Sequence, residues 1–237
     1  MTRRLPIMTG YGSILANIGE INNKGLEVNL TTVNIKNDNF SWETNFTYWK
    51  NKNKIVSLYG IDADGDGIED DDVGNRWFIG KSLGAIYDYT FDGIVQTDDT
   101  EYQQTYSARP GDVKFKDISG PDGIPDGKIT TDDRSIIGYS KPNFTLNMSN
   151  TFKYKNFNLY FNFNYIDGGN NHYLAGNRKG LMGALVPNAS KWLNLPYWTP
   201  EQQSNTYPRP DYSNTYGYGF YQSHSFLRLQ DVTVGYT

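Results

Sequence analysis

Between Asn143 and Tyr165 two uncharged arms alternate apolar and polar residues around the polar turn Lys153–Asn156. Phe144, Leu146, Met148, Asn150 and Phe152 alternate with Thr145, Asn147, Ser149 and Thr151. After the turn, Phe157, Leu159, Phe161, Phe163 and Tyr165 alternate with Asn158, Tyr160, Asn162 and Asn164. A period of two puts one set of side chains on each face of a strand, so the pair is a β-hairpin with an apolar and a polar face. Each arm also has about the 9–11 residues that a tilted strand needs to cross a bilayer. A soluble antiparallel sheet alternates in the same way, so the hairpin alone leaves both settings open.

The rest of the composition narrows the choice. Mean hydropathy is −0.65. No apolar run approaches 18 residues, which excludes a transmembrane helix but not a barrel, whose strands are only half apolar. The 19 tyrosines and a 15% aromatic content, with abundant Gly, Asn, Asp and Thr, favour strands and turns over helices. With no cysteine, disulfide scaffolds, thiolate metal sites and thiol catalysis are out. The two histidines, His172 and His224, lie in polar stretches that read as surface. Seven acidic residues lie between Ile61 and Val73; removing them from the net charge of −4 leaves +3 on the rest. Neither balance resembles the clustered basic face of a nucleic-acid binder.

In chain order, the first strand is expected at Lys24–Ile35, with Leu26, Val28 and Leu30 on one face and a bulge or the strand end near Thr32, where Val33 and Ile35 fall out of phase. The turn 36–39 leads into Phe40–Trp49, with Phe40 and Trp42 at one end and Tyr48 and Trp49 at the other, the placing of two interfacial girdles. A long polar stretch, about 50–142, contains strand-like pieces at Ala85–Tyr89 and Gly93–Gln96. The central hairpin follows, then a second excursion over 166–225. A last strand starts at Phe226, and the clash of phase between Leu227/Leu229 and Val232/Val234/Tyr236 predicts a bulge near Gln230. Short turns at one set of strand ends and very long loops at the other are the pattern of an outer-membrane barrel. Compact soluble domains rarely hold loops of this length. The expected fold is therefore all-β: an antiparallel transmembrane β-barrel segment with long extracellular loops. Met1–Arg4 is basic with no apolar stretch after it, and the chain stops within the strand-like run Asp231–Thr237. The whole of 1–237 is accordingly expected to be a segment of a longer barrel.

Three stretches could hold ligands. Asp62, Asp64, Asp66 and Gly67 fit positions 1, 3, 5 and 6 of a calcium loop, where closely spaced carboxylates supply the oxygens a hard cation needs. Position 8 is Glu69 and position 12 is Val73, so Asp70, Asp71 or Asp72 would have to replace the usual bidentate Glu. Asp117, Asp122, Asp126 and Asp133 form a stretched second version; calcium-bound and calcium-free turns are both open for it. Trp192, Tyr197, Trp198 and Tyr218 crowd the last long loop, where they could stack on sugars or peptides or pack the loop on itself. There is no Ser/His/Asp set, HExxH, P-loop or GxGxxG, and the expectation is a protein that is not an enzyme.

Several strings carry a family resemblance. They are Asn17-x-Gly19-x-x-x-Asn23-x-Gly25-x-Glu27; Arg76–Lys81; Tyr87–Tyr89 followed by Asp92-Gly93-Ile94-x-Gln96; Pro110–Asp117; Asp132–Gly138; Tyr197–Glu201; and Phe226–Leu229. Jointly and in order they resemble the SusC/RagA family of TonB-linked outer-membrane receptors, in the C-terminal part of the barrel. The resemblance implies residence in the outer membrane, in contact with its lipid. It also implies import of oligosaccharides or peptides with a SusD-like surface lipoprotein as lid, energised by the TonB–ExbB–ExbD complex through a plug. The plug domain and the C-terminal closing strand of such receptors are not recognised within 1–237. The rival reading is a secreted, calcium-stabilised β-sheet carbohydrate-binding module or adhesin; a glycoside hydrolase fragment is a more distant one.

Overall fold

The computed structural model describes residues 2–4, 8, 10, 13–15, 19–119, 124–171 and 196–237. The chain divides into two compact units. One holds residues 1–85, 141–169 and 224–237; the other holds residues 86–140 and 170–223.

The first unit is built on a five-stranded antiparallel sheet. After the short pair β1 (Thr2–Arg4) and β2 (Ser13–Leu15) come β3 (Glu20–Lys36) and β4 (Phe40–Ser57). The chain leaves the sheet after Ser57 and returns as β9 (Pro142–Tyr154) and β10 (Phe157–Gly168); β13 (Phe226–Tyr236) completes it. The strand order is β13-β10-β9-β4-β3, so two hairpins are joined by pairing β4 with β9 across about a hundred residues of sequence.

Register aligns the alternating patterns into rows. Phe40, Tyr154, Phe157 and Tyr236 form one row; Ile35, Trp42, Phe152, Leu159 and Val234 form the next; Leu30, Phe46, Met148, Phe163 and Leu229 lie further along, followed by Val28, Tyr48, Leu146, Tyr165 and Leu227. All of these point to one face, and it is open: Leu30 is 52% exposed, Leu229 51% and Val234 72%. So much bare aliphatic surface in register has no place facing water. The opposite face carries Asn29, Thr31, Asn45 and Ser149, with the Asn45 amide donating to Asn29 Oδ1 (3.1 Å) and Thr31 Oγ1 (2.9 Å).

Aromatic rings close both ends of the apolar band. Near the short turns Trp42 stacks on Phe152 with centroids 5.5 Å apart, and Phe157 meets Tyr236 edge-on at 4.9 Å. At the other level Phe144 packs against Tyr48 (5.7 Å) and Tyr165 (5.9 Å). From Phe40 to Tyr48 is about 27 Å along the strand at ~3.4 Å per residue. With the usual tilt, and with the rings themselves added, that suits an apolar band about 25 Å tall.

The structure corrects several boundaries. β3 starts four residues before Lys24, and β4 runs eight residues past Trp49. There the pairs are Lys24↔Lys52, Asn23↔Asn53 and Gly25↔Asn51. Apolar alternation stops at Tyr48, while backbone pairing needs no apolar face and continues. The bulge in β3 falls at Asn34 rather than Thr32. The bulge in β13 is at Gln230, as the phase clash requires, and it returns Leu227 and Leu229 to the face of Val232 and Val234. The second turn is shorter than expected. Lys153 and Tyr154 belong to the strand, and Lys155–Asn156 alone connect it, with Lys155 in the left-handed region (φ 50°) and its N–H donating to Asn39 O of the neighbouring turn (2.9 Å). In that first turn Asn37 Oδ1 accepts from Asn39 N (3.1 Å) and Phe40 N (2.8 Å), the local capping that Asn supplies.

The second unit is folded around its own aromatic core. β5 (Ala85–Tyr89) pairs with β8 (Arg134–Tyr139), and β6 (Phe91–Ile94) with β7 (Val113–Phe115). The sequence pattern places β5 correctly but sets β6 two residues late, and it misses the helix α1 (Thr100–Tyr106), whose seven residues carry no apolar periodicity of their own. The short pair β11 (Asn170–Asn171) and β12 (Gln222–Ser223) completes the elements. Tyr89, Ile94, Val113, Phe115, Trp198 and Tyr218 form the centre of the core.

Candidate functional site

The acidic loop of the first unit is held by its own carboxylates. Asp62 accepts from Gly65 N (2.7 Å) and Gly67 N (2.9 Å), Asp64 from Asp66 N (3.1 Å) and Asp66 from Ile68 N (2.7 Å). The Gly67 N–H, followed by the other backbone donors of the loop, holds the Asp62 carboxyl below its usual range. Asp62, Asp64 and Asp66 each bring an oxygen within 4.8 Å of the other two, and all three are exposed. Oxygens so placed fit a hard divalent cation; three carboxylates would leave the remaining positions to water.

Asp70 and Asp72 stand apart from that group. Asp70 Oδ2 accepts from Ala63 N (2.8 Å). Asp72 accepts from Asn75 N (2.9 Å), the Asn75 amide (2.8 Å) and the Tyr59 hydroxyl (2.7 Å). Glu69 Oε1 takes Leu58 N and Gly60 N (2.8 and 2.6 Å). Their role is to fix the loop: each carboxylate replaces the backbone acceptors that an irregular segment lacks.

In the second unit Asp117 and Asp133 act in the same way. Asp133 is fully buried, taking Ile118 N, Ser119 N (both 2.8 Å) and Thr130 N (2.6 Å) in a capping box with Thr130. Burial pushes its carboxyl up, but the three donors outweigh this and leave it below the usual range. Asp117 accepts from Asp126 N (3.2 Å), Gly127 N (2.8 Å) and Tyr106 Oη (3.0 Å), and Asp126 from Lys128 N (2.9 Å). Among the described residues Asp117, Asp126 and Asp133 do not converge as Asp62, Asp64 and Asp66 do. Asp122 lies outside the described residues, as does Trp192.

Trp198 and Tyr218, named as stacking candidates, are each 5% exposed and form part of the core; Tyr197 is half-buried against it. A ring closed in on both sides offers no face to a ligand, so for these two residues the packing alternative describes the arrangement. Trp198 Nε1 donates to Gln96 Oε1 (3.0 Å), and Gln96 donates to Ile94 O and Ser204 O (2.6 and 3.2 Å). Gly111, at φ 85°, lies where a Cβ would stand 2.5 Å from the Trp198 ring. Arg209 reaches across to Asp112 and Asp211 (2.9 and 2.5 Å), and its N–H donates to Gly111 O (2.9 Å). The strings Asp92–Gln96, Pro110–Asp117 and Tyr197–Glu201, scattered in sequence, thus meet in one hydrogen-bonded core.

Tyrosine gives this unit a pH limit. Burial pushes the phenols of Tyr102, Tyr106 and Tyr218 up to about 12. Groups raised above their ordinary value of 10.0 hold their stabilisation in full below pH 10 and lose it as pH rises through the folded value. The second unit is therefore expected to keep its near-ultraviolet circular dichroism to about pH 10 and lose it by about pH 12, in step with tyrosinate absorbance. Tyrosinate appearing in full near pH 10 with the signal intact would contradict the burial of these phenols.

An open antiparallel sheet with one lipid-type face, one polar face, paired aromatic bands and tight turns at one end is a wall segment of a transmembrane β-barrel. Similarity to known proteins narrows the class. No family model matches the chain. It is 31% identical over 252 residues to TonB-dependent receptor P3 of Formosa agariphila, covering 99% of this chain and 23% of that protein. It is 25% identical to TonB-dependent receptor SusC of Bacteroides thetaiotaomicron, over 99% of this chain and 22% of that one. Among solved structures, the RagAB peptide transporter aligns with TM-score 0.69 at 18% identity, over 98% of this chain and 25% of that one. The RagAB importer in its open-open state gives 0.67 at 19%, over 100% of this chain and 24% of that one. The chain is a relative of TonB-dependent receptors, SusC among them, and shares the fold of the RagAB structures; it spans about a quarter of the length of the curated relatives it matches.

Proposed function

We propose that this chain supplies five strands of barrel wall and two loop units of a TonB-dependent outer-membrane importer. The observation that carries the proposal is the separation of faces row by row across five strands, with aromatic bands at both limits. In this reading the turns 37–39 and 155–156 face the periplasm, and the segments beginning after β4 and β10 face the outside. The Asn/Thr face lines the lumen or meets a plug supplied by the rest of the receptor. Relatives named as TonB-dependent receptors, SusC among them, and a fold shared with a peptide importer support uptake of an oligosaccharide or peptide. A SusD-like surface lipoprotein would serve as lid, and the TonB–ExbB–ExbD complex as energy source. Membrane fractionation of the full-length receptor tests the setting: it should need detergent for release, and release by carbonate or salt alone would overturn the barrel reading. Uptake of candidate oligosaccharides and peptides by cells with and without the receptor tests the activity.

Calcium at Asp62, Asp64 and Asp66 is part of the same proposal, supported by the spacing and the convergent oxygens. A cation bound only by the folded loop stabilises it by about 2.7 kcal/mol at ~100 times its dissociation constant. Calcium is expected to protect the 58–80 segment from protease, and Asp64→Asn to weaken that protection. Cleavage rates indifferent to both calcium and chelator would remove the site.

A further inference from the structure

Beyond Tyr48 the β3–β4 pair carries lysines on the same face as the apolar band. Lys50, Lys52 and Lys54 continue the phase of Trp42, Phe46 and Tyr48 along β4. Lys24 of β3 is paired directly with Lys52, and Leu26 with Lys50. All four lysines are exposed. Residues directly opposite each other have Cβ atoms about 4.5–5.5 Å apart, and like charges so placed are destabilising. Nothing on the two strands offsets this. Their acidic residues, Glu20, Glu27 and Glu43, lie in the phase of the opposite face, paired with Ser57, Trp49 and Val33. Among the described residues none of the four lysines forms an ion pair. A carboxylate on the lysine face at this level, Asp167, is on β10, with β9 between it and β4. It already accepts from the Asn143 amide (3.0 Å) and the Tyr165 hydroxyl (3.2 Å).

Depth says what these cations meet. Lys50 is about 7 Å and Lys52 about 14 Å past Tyr48 along the strand, at ~3.4 Å per residue. A strand tilt of about 35–45° brings these to about 5 and 10 Å above the level of the ring. The headgroup layer extends about 5–7 Å beyond the hydrocarbon core on each side. A lysine lays its stem along an apolar surface and carries its charge to the polar boundary. Lys24, Lys50 and Lys52 therefore bring three ammonium groups together at headgroup height. The charge is one-sided: the opposite face of the same stretch holds Asn23, Gly25, Asn51 and Asn53. Solvation alone gives no reason for that sorting, whereas an anionic surface beside one face does. A phosphate monoester carries more than one negative charge and three acceptor oxygens, one for each ammonium, and lysine binds phosphate as a point charge.

We infer that Lys24, Lys50 and Lys52 bind the phosphate of an anionic lipid headgroup in the outer leaflet of the membrane. This rests on the barrel reading above, with the tight turns in the periplasm. The test places the full-length receptor in phosphatidylcholine nanodiscs with lipid A, or with lipid A stripped of its phosphates, and measures retained lipid by native mass spectrometry. The phosphorylated form should be retained and the stripped form lost. Retention should fall about a hundredfold in the triple variant Lys24→Gln, Lys50→Gln and Lys52→Gln, roughly fivefold per lysine, and survive when the same three positions become arginine. Equal retention of the stripped lipid, no change with glutamine, or loss with arginine as well as with glutamine would each overturn the inference. Labelling of Lys54→Cys by a membrane-impermeant maleimide on intact cells, above the parent's background, separates the two readings. A labelled receptor that ignores lipid phosphate loses only this site, and an unlabelled one overturns the orientation and the site together.

Discussion

Replacing Phe115 by alanine is expected to unfold the second unit while leaving the five-stranded sheet intact. Phe115 is 1% exposed and lies 5.2 Å from Tyr89, 5.3 Å from Tyr216 and 5.2 Å from Tyr218, centroid to centroid, with the Tyr216 and Tyr218 contacts edge-on. Truncating a buried phenylalanine costs about 3–5 kcal/mol through lost transfer energy and the cavity left behind. Three ring pairs are lost as well, each worth about 0.5–1.5 kcal/mol beyond its buried area. Among the described residues the unit consists of two-stranded sheets, one seven-residue helix and loops, so the ring core is its main support. Hydrogen exchange on the full-length receptor should show residues 86–140 and 196–223 exchanging within seconds in Phe115→Ala, with β4, β9 and β10 still protected. Unchanged protection of 86–140 would mean that the core is not centred on this ring.

Asn150→Leu is expected to destabilise the barrel by about 2–4 kcal/mol even though it makes a lipid-type face more apolar. Asn150 falls in the apolar phase of β9, in register with Thr44 and Phe161, and is 5% exposed. Its Oδ1 accepts from Trp42 Nε1 (2.9 Å) and from the Thr44 hydroxyl (2.7 Å). The chain of bonds continues: Asn34 Nδ2 donates to Thr44 Oγ1 (2.7 Å), and Thr32 Oγ1 to Asn34 Oδ1 (3.0 Å). The bulge at Asn34 is what brings that side chain onto this face. Where no water is available, every polar group needs a partner within the protein. Leucine at 150 strands an indole N–H and a hydroxyl, each costing about 1–3 kcal/mol. Trp42→Phe in the same chain should recover part of the loss, because it removes one stranded donor. Denaturant unfolding in detergent or lipid would read both variants. Equal stability of Asn150→Leu and the parent would show that this face meets a polar environment.

These two residues mark the limit of what sequence reveals. Asn150 was visible as an exception in the alternation, yet nothing local to β9 names Trp42 and Thr44 as its partners, since they stand more than a hundred residues earlier. For Trp198 and Tyr218 the sequence left stacking on a ligand and packing of the loop on itself both open, because their neighbours are polar. Trp198 is closed in by Gln96 and Gly111 and Tyr218 by Phe91 and Phe115, all arriving from elsewhere in the chain. Of the acidic residues, spacing did mark Asp62, Asp64 and Asp66 as a set. It could not separate them from Asp70 and Asp72, whose oxygens are taken by backbone and side-chain donors.

Sequence by itself determined the apolar-alternating strands of the five-stranded sheet, their two faces, the places of the tight turns and the bulge at Gln230. All of these follow from a backbone period of two and from turn residues acting on their immediate neighbours. Tertiary structure alone decided that β4 pairs with β9, how far the β3–β4 pair continues beyond the apolar band, which rings become core and which carboxylates converge. Those outcomes depend on contacts closed over long loops, where energy is gained only once both partners are in place and neither carries the mark of the other.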